Sequence, residues 1–114
     1  MQIKKTYRNV APALLYDEIR DFTLKQGTVV EETKLETYYS PGNTSSFISR
    51  GTLTFKLPSG RDEKECLRVH IVGSATGETR VIFDIDEVLF PRKKIDALEN
   101  DLGFIFGSCE VKHR

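Results

Sequence analysis

An α+β domain built on an antiparallel sheet is the fold class this sequence predicts, with its elements in the order β-α-β-β-β-β-α. Three observations carry that expectation. Residues 47–57, 65–73 and 79–90 alternate apolar and polar side chains with the two-residue period of a half-buried strand. Short connections containing Gly and Ser separate these stretches, which favours antiparallel neighbours. Two other stretches, residues 12–26 and 91–107, switch to the 3.6-residue period of an amphipathic helix and so supply rods to cover the apolar sheet face.

The first element is a short strand in which Ile3, Lys5 and Tyr7 alternate with Lys4, Thr6 and Arg8. Pro12 suits the first position of a helix, Leu15, Ile19 and Phe22 recur on one face of it, and Lys25 followed by Gly27 is a stop signal. The β-branched residues and tyrosines of residues 28–39 predict a second strand, and "SPGNTSS" after it predicts a loop. In "FISRGTLTFKL", Phe47, Leu53, Phe55 and Leu57 face inward and Arg50, Thr52, Thr54 and Lys56 outward. The segment "PSGRDEK" turns the chain. "ECLRVHIVG" then places Leu67, Val69 and Ile71 inward and Cys66, Arg68 and His70 outward. After a hairpin at "SATGE", "TRVIFDIDEVLF" directs Val81, Phe83, Ile85 and Leu89 inward, with Arg80, Ile82, Asp84, Asp86, Val88 and Phe90 opposite. Pro91 opens the last helix, whose stripe is Ile95, Leu98, Leu102 and Ile105, and Gly107 closes it before the tail "CEVKHR".

The chain has 114 residues, which is one domain, residues 1–114, with room for a core of its own. Lys plus Arg balance Asp plus Glu at 17 each, so no global field draws in polyanions, and general nucleic-acid binding is disfavoured. No apolar run approaches the roughly 20 residues of a bilayer span, and "MQIKKTYRNV" lacks the apolar stretch of a signal peptide, so the expectation is a soluble, cytoplasmic protein. Cys66 and Cys109 are too few for a disulfide framework or a zinc site of their own. No cofactor or metal is expected.

Three surfaces are candidates for function. At the start of the last helix Arg92, Lys93 and Lys94 crowd a positive dipole pole, against the usual preference for acids there. With the free N–H groups of that first turn they would form a site for phosphate or carboxylate; the competing reading is solvated charge, with Arg92 paired to Asp96. The outward face of the sheet is the second. It displays Lys4, Arg8, Lys34, Arg50, Lys56, Lys64, Arg68 and Arg80 against only Glu32, Glu36, Asp84 and Asp86, and it carries Ile48 and Ile82 as well. Arg50, Arg68, His70, Arg80 and Ile82 are the residues expected to meet an acidic partner, including the acidic helix side of another copy; a mixed-charge solvated face is the alternative. The third is the covered side, where Ser49 and Gly51 beneath the helix either leave a hollow or let the helix approach closely. His70 with Asp84 and Asp86 could reach a metal only across strands, and ion pairs with Arg68 or Arg80 compete for those carboxylates. Cys66 and His70 stand some 13 Å apart along one strand, too far for a nucleophile and its base.

The element order, together with "VAPALLYDEIRDF" at Val10 to Phe22, resembles the helix-grip superfamily of lipid-transfer (START) and polyketide-cyclase-like proteins, and also a single repeat of the TATA-box-binding-protein fold. The resemblance implies the same β-α-β-β-β-β-α sheet with two helices on one face. For a helix-grip protein it also implies a small apolar ligand held between the C-terminal helix and the sheet, near Ser49, Gly51, Phe55, Phe83, Leu98 and Leu102. Here Gly27 leads directly into a strand, without the inserted elements usual in helix-grip proteins, and the last helix has only about five turns. The leading expectation is therefore a non-enzymatic binding or assembly domain, self-associating as a homodimer through the open sheet face or binding a small anion. A carrier or enzyme for an apolar ligand is the alternative.

Overall fold

Alternation in the strands and a 3.6-residue stripe in the helices produce the expected order. The structure, a computed structural model, describes residues 1–58, 64–74 and 77–112, with only the backbone described at 40 and 43–46. The elements are β1 (Gln2–Arg8), α1 (Pro12–Lys25), β2 (Val29–Ser40), β3 (Asn43–Lys56), β4 (Glu65–Ser74), β5 (Glu78–Ile85) and α2 (Arg92–Phe106), followed by a 3-10 turn at Gly107–Cys109. Among the described residues the strands form one antiparallel sheet in the order β1-β5-β4-β3-β2. Residues 59–63 of the expected turn, residues 75 and 76 of the expected hairpin, and His113 in the tail lie outside the described residues. The topology is the helix-grip and TATA-box-binding-protein-like arrangement. No described helix is long and apolar enough to cross a membrane.

The inward side chains of the strands meet both helices in one contiguous core. Leu53, Phe55, Leu67, Val69, Ile71, Val81 and Phe83 from the sheet pack with Leu15, Tyr16 and Ile19 of α1 and Ile95, Leu98, Leu102 and Phe106 of α2. Each fully buried aliphatic or aromatic side chain contributes about 1.5–3 kcal/mol relative to exposure. The opposite face of the sheet has no layer over it among the described residues, which leaves Arg50, Arg68, Val72 and Arg80 exposed, although the outward Thr54 is buried among its neighbours.

Four expectations need correction, each for a local physical reason. Cys66 is fully buried rather than outward, because Phe55 pairs with Leu67 while Lys56 pairs with Glu65, so Cys66 is the extra residue of a bulge and loses the two-residue period. Phe90 is buried too. Strand β5 stops at Ile85, the Asp86 carboxylate accepts the N–H groups of Val88 (3.0 Å) and Leu89 (3.3 Å), and that turn directs Phe90 into the core while Val88 stays in solvent. Ile105 is half exposed and Phe106 takes its place in the stripe. Eleven residues of helix bring Phe106 to about 20° from the azimuth of Ile95, whereas ten leave Ile105 about 80° away. The predicted loop at residues 40–46 is mostly strand: β2 and β3 join through Pro41 and Gly42, with Gly42 at φ +76°, a value that suits glycine in a two-residue turn.

The C-terminal segment, which the sequence left as a tail, is attached to the sheet. Glu110 bridges to Tyr7, and the Val111 N–H donates to the Thr6 carbonyl at 2.7 Å, so the outer edge of β1 is partly closed.

Candidate functional site

The open face of the sheet can be read as transverse rows, because residues paired across antiparallel strands project to the same side. One middle row runs Lys4, Ile82, His70, Thr52, Lys34, and the next runs Thr6, Arg80, Val72, Arg50, Glu36. From β1 through β3 these two rows hold Lys4, His70, Arg80 and Arg50 and no acid. Lys4, Arg50 and Arg80 make no ion pair within 4.0 Å among the described residues. Arg50 and Arg80 are separated by β4 alone, which sets their backbones roughly 10 Å apart. Val72 between them is exposed, and Ile82 beside Lys4 is partly so, so cations alternate with apolar surface.

Acids occupy the two ends of this face and the β2 edge. At one end Glu65 grips Arg68 through two hydrogen bonds, at 2.6 and 3.0 Å, and holds the guanidinium pKa above its ordinary value. Asp84 accepts a hydrogen bond from Gln2 at 2.9 Å nearby. These groups, with Asp86 and Glu87, line an open hollow of about 850 Å³. At the other end Glu78 pairs with Arg8 at 3.6 Å. On β2, Lys34 and Glu36 pair at 2.9 Å, and the Tyr38 hydroxyl donates to the same Glu36 carboxylate. The Tyr38 hydrogen bond and then Lys34 lower the Glu36 pKa, and Glu36 raises that of Lys34. Along β1 a groove of about 630 Å³, lined by Lys4, Thr6, Arg80, Ile82 and Lys112, continues the basic surface toward the C-terminal segment.

The sequence-derived open-face set is therefore partly assembled. Arg50, His70, Arg80 and Ile82 lie together in the middle rows, Arg68 is neutralised at the end by Glu65, and Asp86 has left the face to cap a turn. Glu78, which the sequence reading placed in the "SATGE" hairpin, is the first residue of β5 and lies on that face. Lys4 belongs to the central group, and its outward position in the first strand was the available signal.

The three cations that open α2 diverge. Arg92 pairs with Asp96 at 3.3 Å and lies 3.8 Å from the sulfur of Met1, while Lys93 is exposed. Lys94 donates to the carbonyl of Gln26 at 2.8 Å. Gln26 caps the C-terminus of α1, where unpaired carbonyls and the negative dipole pole favour a cation. Lys94 thus serves the end of the neighbouring helix.

On the covered side, Ser49, Gly51, Phe55, Phe83, Leu98 and Leu102 are all buried. A β-carbon at Gly51 would sit 3.1 Å from Cδ2 of Tyr16, so the absent side chain admits α1 closely. Beside it an open groove of about 240 Å³, bounded by Pro12, Leu35, Tyr39, Phe47 and Ser49, is smaller than the roughly 300–1,000 Å³ of usual small-molecule sites. The Cys66 thiol donates to the Phe55 carbonyl at 3.4 Å, and burial pushes its pKa up, which makes it a poor nucleophile. Among the described residues no group of three or more His, Cys, Asp or Glu is placed to share a metal ion.

Comparisons with protein-family models, curated proteins and solved structures give no match. The site must be read from its own chemistry. An unpaired basic and apolar surface, backed by a rigid sheet, can desolvate apolar contacts at its centre while its guanidinium groups take carboxylates.

Proposed function

We propose that this protein is a non-enzymatic binding domain whose open sheet face docks an acidic protein surface. The observation that supports this reading most is the central band of Lys4, Arg50 and Arg80, unpaired among the described residues and interleaved with His70, Val72 and Ile82. A solvated sheet face ordinarily intersperses both signs of charge. Here the acids stand at its ends and at the β2 edge, so an incoming acidic surface meets attraction at the centre and repulsion if it slides outward. Such an arrangement fixes register and speeds encounter more than it adds affinity.

The test uses poly-glutamate as an acidic probe, with binding followed by fluorescence anisotropy across a salt series. The wild-type protein is expected to bind, with affinity falling as salt rises. Arg50→Glu combined with Arg80→Glu should weaken binding about tenfold or more, equivalent to about 1.4 kcal/mol. Both side chains are outward, so circular dichroism should be unchanged. Equal affinity in the double variant, or binding indifferent to salt, rejects the site.

A further inference from the structure

The two edges of the sheet are treated differently. The β1 edge is partly closed by Glu110 and Val111. Strand β2 spans twelve residues, Val29–Ser40, paired with β3 on one side only. No backbone hydrogen bond outside the β2–β3 ladder reaches Val29–Ser40 among the described residues. Among the described residues, five of the thirteen exposed large apolar side chains are on this strand: Val29, Val30, Leu35, Tyr38 and Tyr39. An unpaired edge with apolar side chains is a template for another strand.

We propose that β2 is the interface with a second copy of this chain, joining two sheets edge to edge around a two-fold axis through Leu35. The strand is self-complementary in that register. A two-fold axis perpendicular to the sheet keeps each copy's open face on the same side, so paired residues must share a face. With Leu35 opposite its own copy, Lys34 meets the partner's Glu36, Glu36 meets the partner's Lys34, Thr33 meets the partner's Thr37, and Glu32 meets the partner's Tyr38. Centring the pair on Lys34 opposes two lysines, and centring it on Glu36 opposes two glutamates, both destabilising. The ladder of β2 with β3 is regular from Glu32 to Tyr39 and irregular just outside that span. Centring on Thr33 or Thr37 runs the new pairing into one of those irregularities almost at once. Leu35 lies near the middle of the regular span and suffers neither fault.

The joined sheet has ten strands, and the middle rows of the two open faces run into each other. The Arg50 and Arg80 band of one copy then continues into that of the second through a ring of two Lys34–Glu36 contacts. This assembly does not depend on the docking function of the open face, and the two fail separately.

The mass of the full chain in solution, measured by analytical ultracentrifugation over a concentration series, tests the proposal. The wild-type protein is expected to reach twice the 13.0 kDa of one chain. Lys34→Glu alone opposes two carboxylates at the interface and Glu36→Lys alone opposes two ammonium groups, so each should remain at the single-chain mass. The double exchange, Lys34→Glu with Glu36→Lys, restores opposite charges and should restore the dimer. These side chains are 62% and 39% exposed, so each change should alter fold stability by no more than about 0.5 kcal/mol. As a second measurement, Leu35→Cys in a Cys109→Ser background should form an intermolecular disulfide under mild oxidation, whereas Thr37→Cys in that background should not. A wild-type protein that stays monomeric throughout the series overturns the proposal. So does a dimer that survives both single exchanges, which would locate self-association on another surface.

Discussion

A β-carbon placed on Gly73 would stand 2.0 Å from Cγ and 2.9 Å from Cδ of Pro12. Both neighbours are parts of a rigid ring at the start of α1, and the ring is buried, so neither can move aside without shifting the helix. The missing side chain is thus what lets Pro12 rest on β4. Gly73→Ala is expected to destabilise the fold by about 1–3 kcal/mol, the usual cost of overpacking a core, measured by urea denaturation. An unchanged midpoint would mean that α1 sits farther from the sheet than described. The same contact explains a limit on reading the chain: Gly73 and Pro12 are far apart in sequence, and neither residue alone signals that one accommodates the other. Lys94 is a similar case. As part of a charge run it looks misplaced, and only the packing of α2 beside the end of α1 supplies the Gln26 carbonyl that accounts for it.

At the level of elements, the type and order of each strand and helix were legible because hydrophobic period is a local property. The failures came where a pairing or a turn interrupts that period. The bulge at Cys66 depends on the register of β4 against β3, whereas the turn set by the Asp86 carboxylate ahead of Phe90 and the strand pairing through a Ser- and Asn-rich stretch at residues 43–46 are local features that apolar–polar alternation does not record. The open-face rows were readable as far as alternation held, which is why Arg50, His70, Arg80 and Ile82 emerge together and Asp86 does not. The contact between α1 and α2 was not readable at all, and it holds a carboxyl whose pKa is displaced. The Glu18 carboxyl is pushed up to about 7 from an ordinary 4.5, first by a hydrogen bond with Asp101 of α2, then by desolvation and by the charges of Asp101 and Asp21, with Lys25 opposing. One carboxylate oxygen of Asp101 is buried and accepts no hydrogen bond from an ordinary donor among the described residues. The folded state therefore holds this proton more tightly than the unfolded chain between pH 4.5 and about 7. The resulting stability is present below 4.5 and is lost as pH rises through 7. Glu18→Gln keeps a donor toward Asp101 without the proton, so its melting temperature should fall less than that of the wild type across this window and should exceed it at pH 8. Parallel pH profiles would show that the two carboxyls do not share a proton.

Across the whole molecule, burial is graded from one side of the sheet to the other. β4 and β5 lie in the interior of the sheet, and Leu67, Val69, Val81 and Phe83 are shielded by helices. The longest dimension, 49 Å, is close to the roughly 46 Å of an extended 14-residue β3, so the β2–β3 hairpin reaches nearly the full length of the protein. β2 has a neighbour on one side and few buried side chains. Local opening should then be easiest in β2 and should approach global unfolding in β4 and β5. Hydrogen exchange in dilute solution is expected to show the slowest amides in β4 and β5 and the fastest strand amides in β2. Raising protein concentration should leave the central strands unchanged and selectively slow the amides of Glu32 to Tyr38, since strand pairing with a second copy would close those groups. Fast β2 amides at every concentration would remove the edge pairing while preserving the gradient. Exchange in β2 as slow as in β4 in a dilute monomer would contradict the gradient itself, because no described contact protects the outer side of that strand.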